Sequence, residues 1–253
     1  SGKMQGWKMP ELALHSSHHI GFVGLGAAAF ADDGHVLFTG GSEACRRRPP
    51  SEALGLKVWD VETATIREWR DSRSCIRAVA CSADGAWVLT LDTPWGEPSL
   101  QSLRGKGSVS LTRFEGEFIQ YVAVALDATG QYSAYALENG EVKLCEGLSL
   151  AGRAGFQSSR PIALAFDPHR RYLAMLHEDN VQVVNLGSLF LREKRQVTLP
   201  RADMGCLAFN SSGQALAIGT EHGWQIRRSS DLGLVAEQTG HNVTALAFSP
   251  DGC

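Results

Sequence analysis

Residues 240–252 read GHNVTALAFSPDG and are followed by Cys253. Val243, Ala245, Ala247 and Ser249 alternate with Thr244, Leu246 and Phe248, and the run closes at Pro250-Asp251-Gly252. Period-two patterning that ends in a turn signal predicts a strand entering a tight reversal. The same pattern recurs upstream as AAAFADDG (27–34), AVACSADG (78–85), AVALDATG (123–130), ALAFDPHR (163–170) and CLAFNSSG (206–213). Its anchors Phe30, Cys81, Leu126, Phe166, Phe209 and Phe248 are 51, 45, 40, 43 and 39 residues apart. A period near forty predicts a repeat architecture.

Each anchor strand leads through its turn into a second β-rich run: HVLFTGG, AWVLTLD, QYSAYAL, RYLAMLH and QALAIGT. Third runs follow in LKVWD (56–60), EVKLCE (141–146), NVQVVN (180–185) and WQIRR (224–228), and fourth runs in ATIREWR, SVSLTRF, KRQVTLP and LGLVAEQ. Few segments space apolar residues at three to four, so helix is expected to be nearly absent. A four-stranded antiparallel sheet cannot cover both of its own faces, whereas sheets stacked around an axis bury them against their neighbours. The expected fold is an all-β propeller of four-stranded blades.

Gly240-His241, FSPDG at 248–252 and KVWD at 57–60 resemble the WD-repeat propeller family, and the repeat runs over the whole chain. In that family a Trp in the third strand, the His of Gly-His, a Ser or Thr in the second strand and a turn Asp form a hydrogen-bonded tetrad. Trp59 supplies the Trp in one unit; aligning the others puts Leu103, Cys145, Val184, Arg227 and Pro10 there, so no unit has the whole tetrad. Blade cohesion is then expected from apolar packing, with Phe166 and Phe209 outweighing Trp59.

The two ends align as parts of one unit. SGKMQGWKM matches IGTEHGWQI (218–226), with Gly2 on Gly219, Gly6 on Gly223 and Trp7 on Trp224. Complete blades are expected at about 20–70, 71–117, 118–157, 158–201 and 202–240, with a composite closing blade from 241–253 plus 1–19. Six blades are favoured, and an incomplete seven-bladed ring is the alternative. The opening SGKMQGWKMP reads as an interior segment.

The chain has 253 residues, 43% hydrophobic and 20% charged, with a net charge of −3. That balance gives no overall drive toward nucleic acid or anionic membrane, and neither is an expected partner. No run of about 18 apolar residues is present. Six cysteines show no Cys-x-x-Cys pair, and several stand in apolar strand positions. They read as buried thiols of a reducing compartment, the cytoplasm.

No catalytic, cofactor or metal motif emerges, and no catalytic, cofactor-binding or metal residue is assigned. HSSHH (15–19) reads as a solvated connection rather than a zinc site. GKGS (105–108) lies in a strand-to-strand turn, not between the strand and helix that a phosphate loop needs. Asp32-Asp33, Glu178-Asp179 and Asp231 fall at predicted turns.

By the resemblance, loops joining fourth to first strands and second to third strands share a face that engages partners. That face would hold the insertion GSEACRRRPPSEALG (41–55), Trp95, Phe118, Glu138-Asn139, Arg160, Glu178-Asp179, Arg201, Asp203 and His222. Arg46, Arg47 and Arg48 read either as a docking loop for acidic or phosphorylated groups or as a solvated insertion. The partner surface expected is Arg46, Arg47, Arg48, Trp95, Phe118, Arg160, Arg201 and His222. Two function classes stay open: a non-catalytic scaffold binding a protein or peptide, and a propeller enzyme or small-ligand module acting at the central channel.

Overall fold

The computed structural model of the chain describes residues 3–8, 13–19, 25–31, 36–41, 55–60, 62–63, 65–70, 75–93, 98–103, 108–110, 121–146, 152–187, 194–243 and 245–248. All regular structure among them is strand. β1 (Lys3–Lys8) and β2 (Ala13–His19) form a two-stranded sheet. Five four-stranded antiparallel sheets follow, each ordered as its strands occur in the chain. The first blade is β3 (Leu25–Ala31), β4 (Val36–Gly41), β5 (Leu56–Asp60) and β6 (Thr65–Arg70). The second is β7 (Cys75–Cys81), β8 (Trp87–Thr93), β9 (Pro98–Ser102) and β10 (Ser108–Ser110). The third is β11 (Tyr121–Leu126), β12 (Tyr132–Leu137), β13 (Glu141–Glu146) and β14 (Gly152–Gln157). The fourth is β15 (Ala163–Phe166), β16 (Tyr172–Leu176), β17 (Asn180–Asn185) and β18 (Lys194–Thr198). The fifth is β19 (Gly205–Phe209), β20 (Ala215–Thr220), β21 (Gly223–Arg228) and β22 (Leu234–Thr239).

The sequence anchors occupy one structural position. Phe30, Cys81, Leu126, Phe166 and Phe209 stand opposite Leu37, Val88, Ser133, Leu173 and Leu216, in every blade the residue seven places further on. In the second to fifth blades a polar side chain right after the anchor holds the turn between. Ser82 Oγ accepts from the Trp87 amide at 3.0 Å, Asp127 Oδ1 from Tyr132 at 2.8 Å, Asp167 Oδ2 from Arg171 at 3.0 Å and Asn210 Oδ1 from Ala215 at 2.9 Å. Asp127 and Asp167 have no exposed surface, so these bonds satisfy groups that would otherwise be costly to bury.

Four apolar clusters hold the blades, each between two successive sheets. Their weight falls on the second strands. Leu173, Ala174, Met175 and Leu176 of β16 are all fully buried, as are Leu216 and Ile218 of β20 and Val88, Leu89 and Leu91 of β8. A strand covered on both faces loses the alternation of a half-exposed one. Phe166 and Phe209 are only partly buried, whereas Trp59 is 7% exposed. Trp59 is thus more deeply buried than either Phe, which runs against the expectation that the two Phe residues outweigh it.

Two further readings change. HSSHH is strand β2, with His18 opposite Met4 and His19 opposite Lys3: ladder pairing makes a strand of residues that are polar on both faces. In the second blade the position matching Trp59 is Gln101, which faces Val88 as Trp59 faces Leu37. Leu103 lies beyond the strand, where its amide donates to the Ala86 carbonyl at 2.9 Å. The strand position is therefore two residues earlier than the expected Leu103.

Residues 241–243 and 245–248 carry no strand pairing among the described residues. They lie against the fifth blade: the Val243 amide donates to the Thr220 carbonyl at 2.9 Å. Val243 and Leu246 cover Gly219, where an added β-carbon would stand 2.6 Å and 3.1 Å from their side chains.

Candidate functional site

The turns joining second to third strands, and the loops leaving fourth strands, meet at one end of the blades. In the third blade the Ser158 amide donates to the Gly140 carbonyl at 2.9 Å. In the fourth, Leu199 and Ala202 donate to Asp179 and Glu178 at 2.7 and 2.6 Å, and in the fifth Gly240 donates to His222 at 2.9 Å. These backbone bonds tie each exit loop to the turn of its own blade.

Side chains repeat the same logic. Arg160 lies 3.7 Å from Glu138, and one blade further on Arg201 lies 3.0 Å from Glu178. Both pairs are exposed, so each adds little to stability and mainly orients the loop. An imidazole from the next blade then holds each arginine's main chain. His222 Nε2 donates to the Arg201 carbonyl at 2.6 Å, and His177 Nδ1 lies 3.4 Å from the Arg160 carbonyl.

Of the expected surface residues, Arg160, Arg201 and His222 are thus brought onto one face with Glu138 and Glu178. Asp203 sits in the same exit loop as Arg201 and is exposed. Arg46, Arg47, Arg48, Trp95 and Phe118 lie outside the described residues, as does the GKGS turn at 105–107.

Residues 233–253, covering β22 and the GHNVTALAFSPDG segment, match the family model "WD domain, G-beta repeat". The fold of the whole chain matches that of the β-propeller domain of Cps50 (Swd1) from Myceliophteria thermophila, with a TM-score of 0.69 and 12% identity over 98% of this chain and 84% of that one. The chain has the fold of a β-propeller, and its last repeat matches the WD-repeat model. Comparison with curated protein sequences finds no match.

His177 is the residue of this propeller face that sequence reading passed over. It directly follows the apolar second strand β16, at the position of Leu137 and Thr220 in the neighbouring blades, and is 3% exposed. Its Nδ1 lies 3.0 Å from the Ser159 hydroxyl and its Nε2 3.4 Å from that of Ser158. Burial pushes the imidazole below its ordinary pKa, against the opposing pull of the Arg160 carbonyl and of Asp179. An imidazole at a position held by Asp92, Leu137 and Thr220 in the second, third and fifth blades was the available signal.

The innermost strands read LGAAAFA, CIRAVAC, YVAVAL, ALAF and GCLAF, with neither carboxylate nor imidazole in any of them. Among the described residues no group of three or more His, Cys, Asp or Glu side chains is arranged to hold a metal ion. Cys81, Cys145 and Cys206 are free thiols. Burial raises the pKa of Cys81 and of Cys206 to about 12, which leaves them protonated and unreactive. No helix of the described chain is long and apolar enough to cross a membrane.

Proposed function

We propose that this propeller is a non-catalytic scaffold that presents the Arg160, Arg201 and His222 loops to a protein or peptide partner, as the interaction part of a larger multidomain protein in the cytoplasm. The observation that carries the reading is the recurrence of one device in two adjacent blades. An exit-loop arginine is pinned by its carbonyl to a histidine and by its guanidinium to a turn glutamate. Loops held this way present charged groups with little freedom left to lose on binding, which favours recognition. Innermost strands without carboxylate or imidazole support surface recognition over chemistry at the axis.

The reading is tested by affinity capture with the wild-type chain and with the Arg160→Glu/Arg201→Glu variant. Selective loss of captured proteins by the variant supports it. Recovery of the same set by both, at equal folded content, overturns it.

A further inference from the structure

At the opposite end of the blades, the described first-to-second-strand turns, those of the second to fifth blades, follow one pattern with one break. Gly85, Gly130 and Gly213 take φ values of 64°, 72° and 67°, and the corresponding residue of the fourth blade is Arg170, with φ 56°. Left-handed backbone disfavours any side chain, so glycine would be the easier residue there. Strain kept at a single repeat points to a use for the side chain that is installed.

Arg170 lays its guanidinium 4.5 Å above the Tyr132 ring and 3.7 Å from Asp127 of the preceding blade. The carboxylate has no exposed surface while the arginine is 43% exposed. Arg171 repeats the arrangement: Nε and Nη2 donate to the two oxygens of buried Asp167, each at 3.1 Å, and the side chain stays 51% exposed. Arg195, from β18, shares the Tyr172 ring with Arg171, at 5.2 and 5.6 Å. Exposed Lys194 stands 5.7 Å from the Phe156 ring. Buried acids thus hold Arg170 and Arg171, Arg195 Nη1 donates to the Ser229 carbonyl at 3.3 Å, and the side chains of Arg170 and Arg171 stay about half exposed.

We propose that this ring-backed cationic patch docks a short carboxylate-rich peptide segment of a partner protein. Planar guanidinium groups match carboxylates bidentately, and aromatic support fixes their orientation before binding. The patch is too small for a nucleic acid, whose binding commonly engages about 6–10 phosphates. The net charge of −3 further disfavours a long polyanion. This surface lies at the other end of the blades from Arg160 and Arg201 and stands independently of the function proposed above.

The test is fluorescence anisotropy of a fluorescein-labelled peptide of alternating Glu and Gly, titrated with the full chain at low salt. Arg170→Gly restores the residue of the sister turns and is combined with Arg195→Gln; Arg171 is left in place because Asp167 needs it. Expected is salt-sensitive binding by the wild type, weakened roughly tenfold or more in the double variant as two charge contacts are lost, and unchanged by Arg160→Gln/Arg201→Gln. Melting temperatures establish that both variants are folded, and Arg195→Gln alone reports the patch if the double variant is not. Equal affinity in wild type and patch variants, loss confined to the Arg160/Arg201 variant, or tighter binding of a single-stranded oligonucleotide of equal length overturns the proposal.

Discussion

Arg170 bridges two blades, its guanidinium 3.7 Å from the buried carboxylate of Asp127 and 4.5 Å above Tyr132. The same carboxylate accepts from the Tyr132 amide at 2.8 Å and from the Thr129 hydroxyl at 2.7 Å. The two partners are therefore unequal. Asp127→Ala strands several donors at a buried site and is expected to cost about 1–3 kcal/mol. Arg170→Gly loses a half-exposed ion pair and a cation–π contact but relieves left-handed strain, for a net change within about 1 kcal/mol. Chemical denaturation of both variants checks the asymmetry, which equal destabilisation would contradict.

Removing buried volume from second strands is expected to matter more than removing the aromatic anchors. Leu173→Ala and Leu216→Ala should each cost about 2–5 kcal/mol, and Trp59→Ala about 3–5 kcal/mol. Phe166→Ala should fall below all three, because its ring is only partly buried. Thermal melts rank the four variants, and Phe166→Ala as the most damaging would refute the packing described.

Stability is expected to fall on mild acidification through His177. Its folded pKa is held below the ordinary value of 6.5, chiefly by burial, so the folded state favours the neutral ring. The unfolded chain takes up a proton first as pH drops below about 6.5. The contribution is complete above that pH and is lost as pH falls through the lowered folded value. Denaturation from pH 7.5 to 5 should show a shallower decline in His177→Gln than in the wild type. Parallel curves would remove His177 as the source.

Alkylation should separate folded from unfolded thiols. Cys81 and Cys206, with pKa values raised to about 12 by burial, are expected to resist iodoacetamide in the native protein and to react fully in denaturant. Peptide mass mapping reads each site. Rapid native labelling of either thiol would contradict its burial.

Closure of the ring from both termini is best probed at Gly219. Valine there would drive Val243 and Leu246 off the fifth blade. If residues 241–253 and 1–19 make one closing blade, Gly219→Val and deletion of residues 1–19 should each lower the melting temperature, and the combination should add little to either. Full additivity of the two losses would count against a shared blade.

The repeat was legible because propeller blades are local. Each anchor and its partner are seven residues apart, so the first hairpin of every blade could be read from alternation and a turn. The third strands at 56–60, 141–146 and 180–185 match their expected bounds for the same reason. Legibility failed where side chains do not choose the structure. β2 is polar on both faces, and β14 reads GRAGFQ, with little β-propensity; both are strands because a neighbour offers a ladder. Gln101 holds the Trp59 position through its pairing with Val88, which the sequence pattern of PSLQS does not reveal.

By itself, then, the sequence of this protein determined a forty-residue period, the four-strand unit and the placement of charged loops between strands, all set by contacts within one repeat. Only the tertiary structure decided which side chains carry the weight. Burial between blades makes second strands, not Phe anchors, the core, and it lowers the pKa of His177 between the Ser158 and Ser159 hydroxyls. It also brings Arg170 over the carboxylate of a blade some forty residues earlier. Those outcomes depend on what the neighbouring blade presents, and no pattern within a single repeat encodes it.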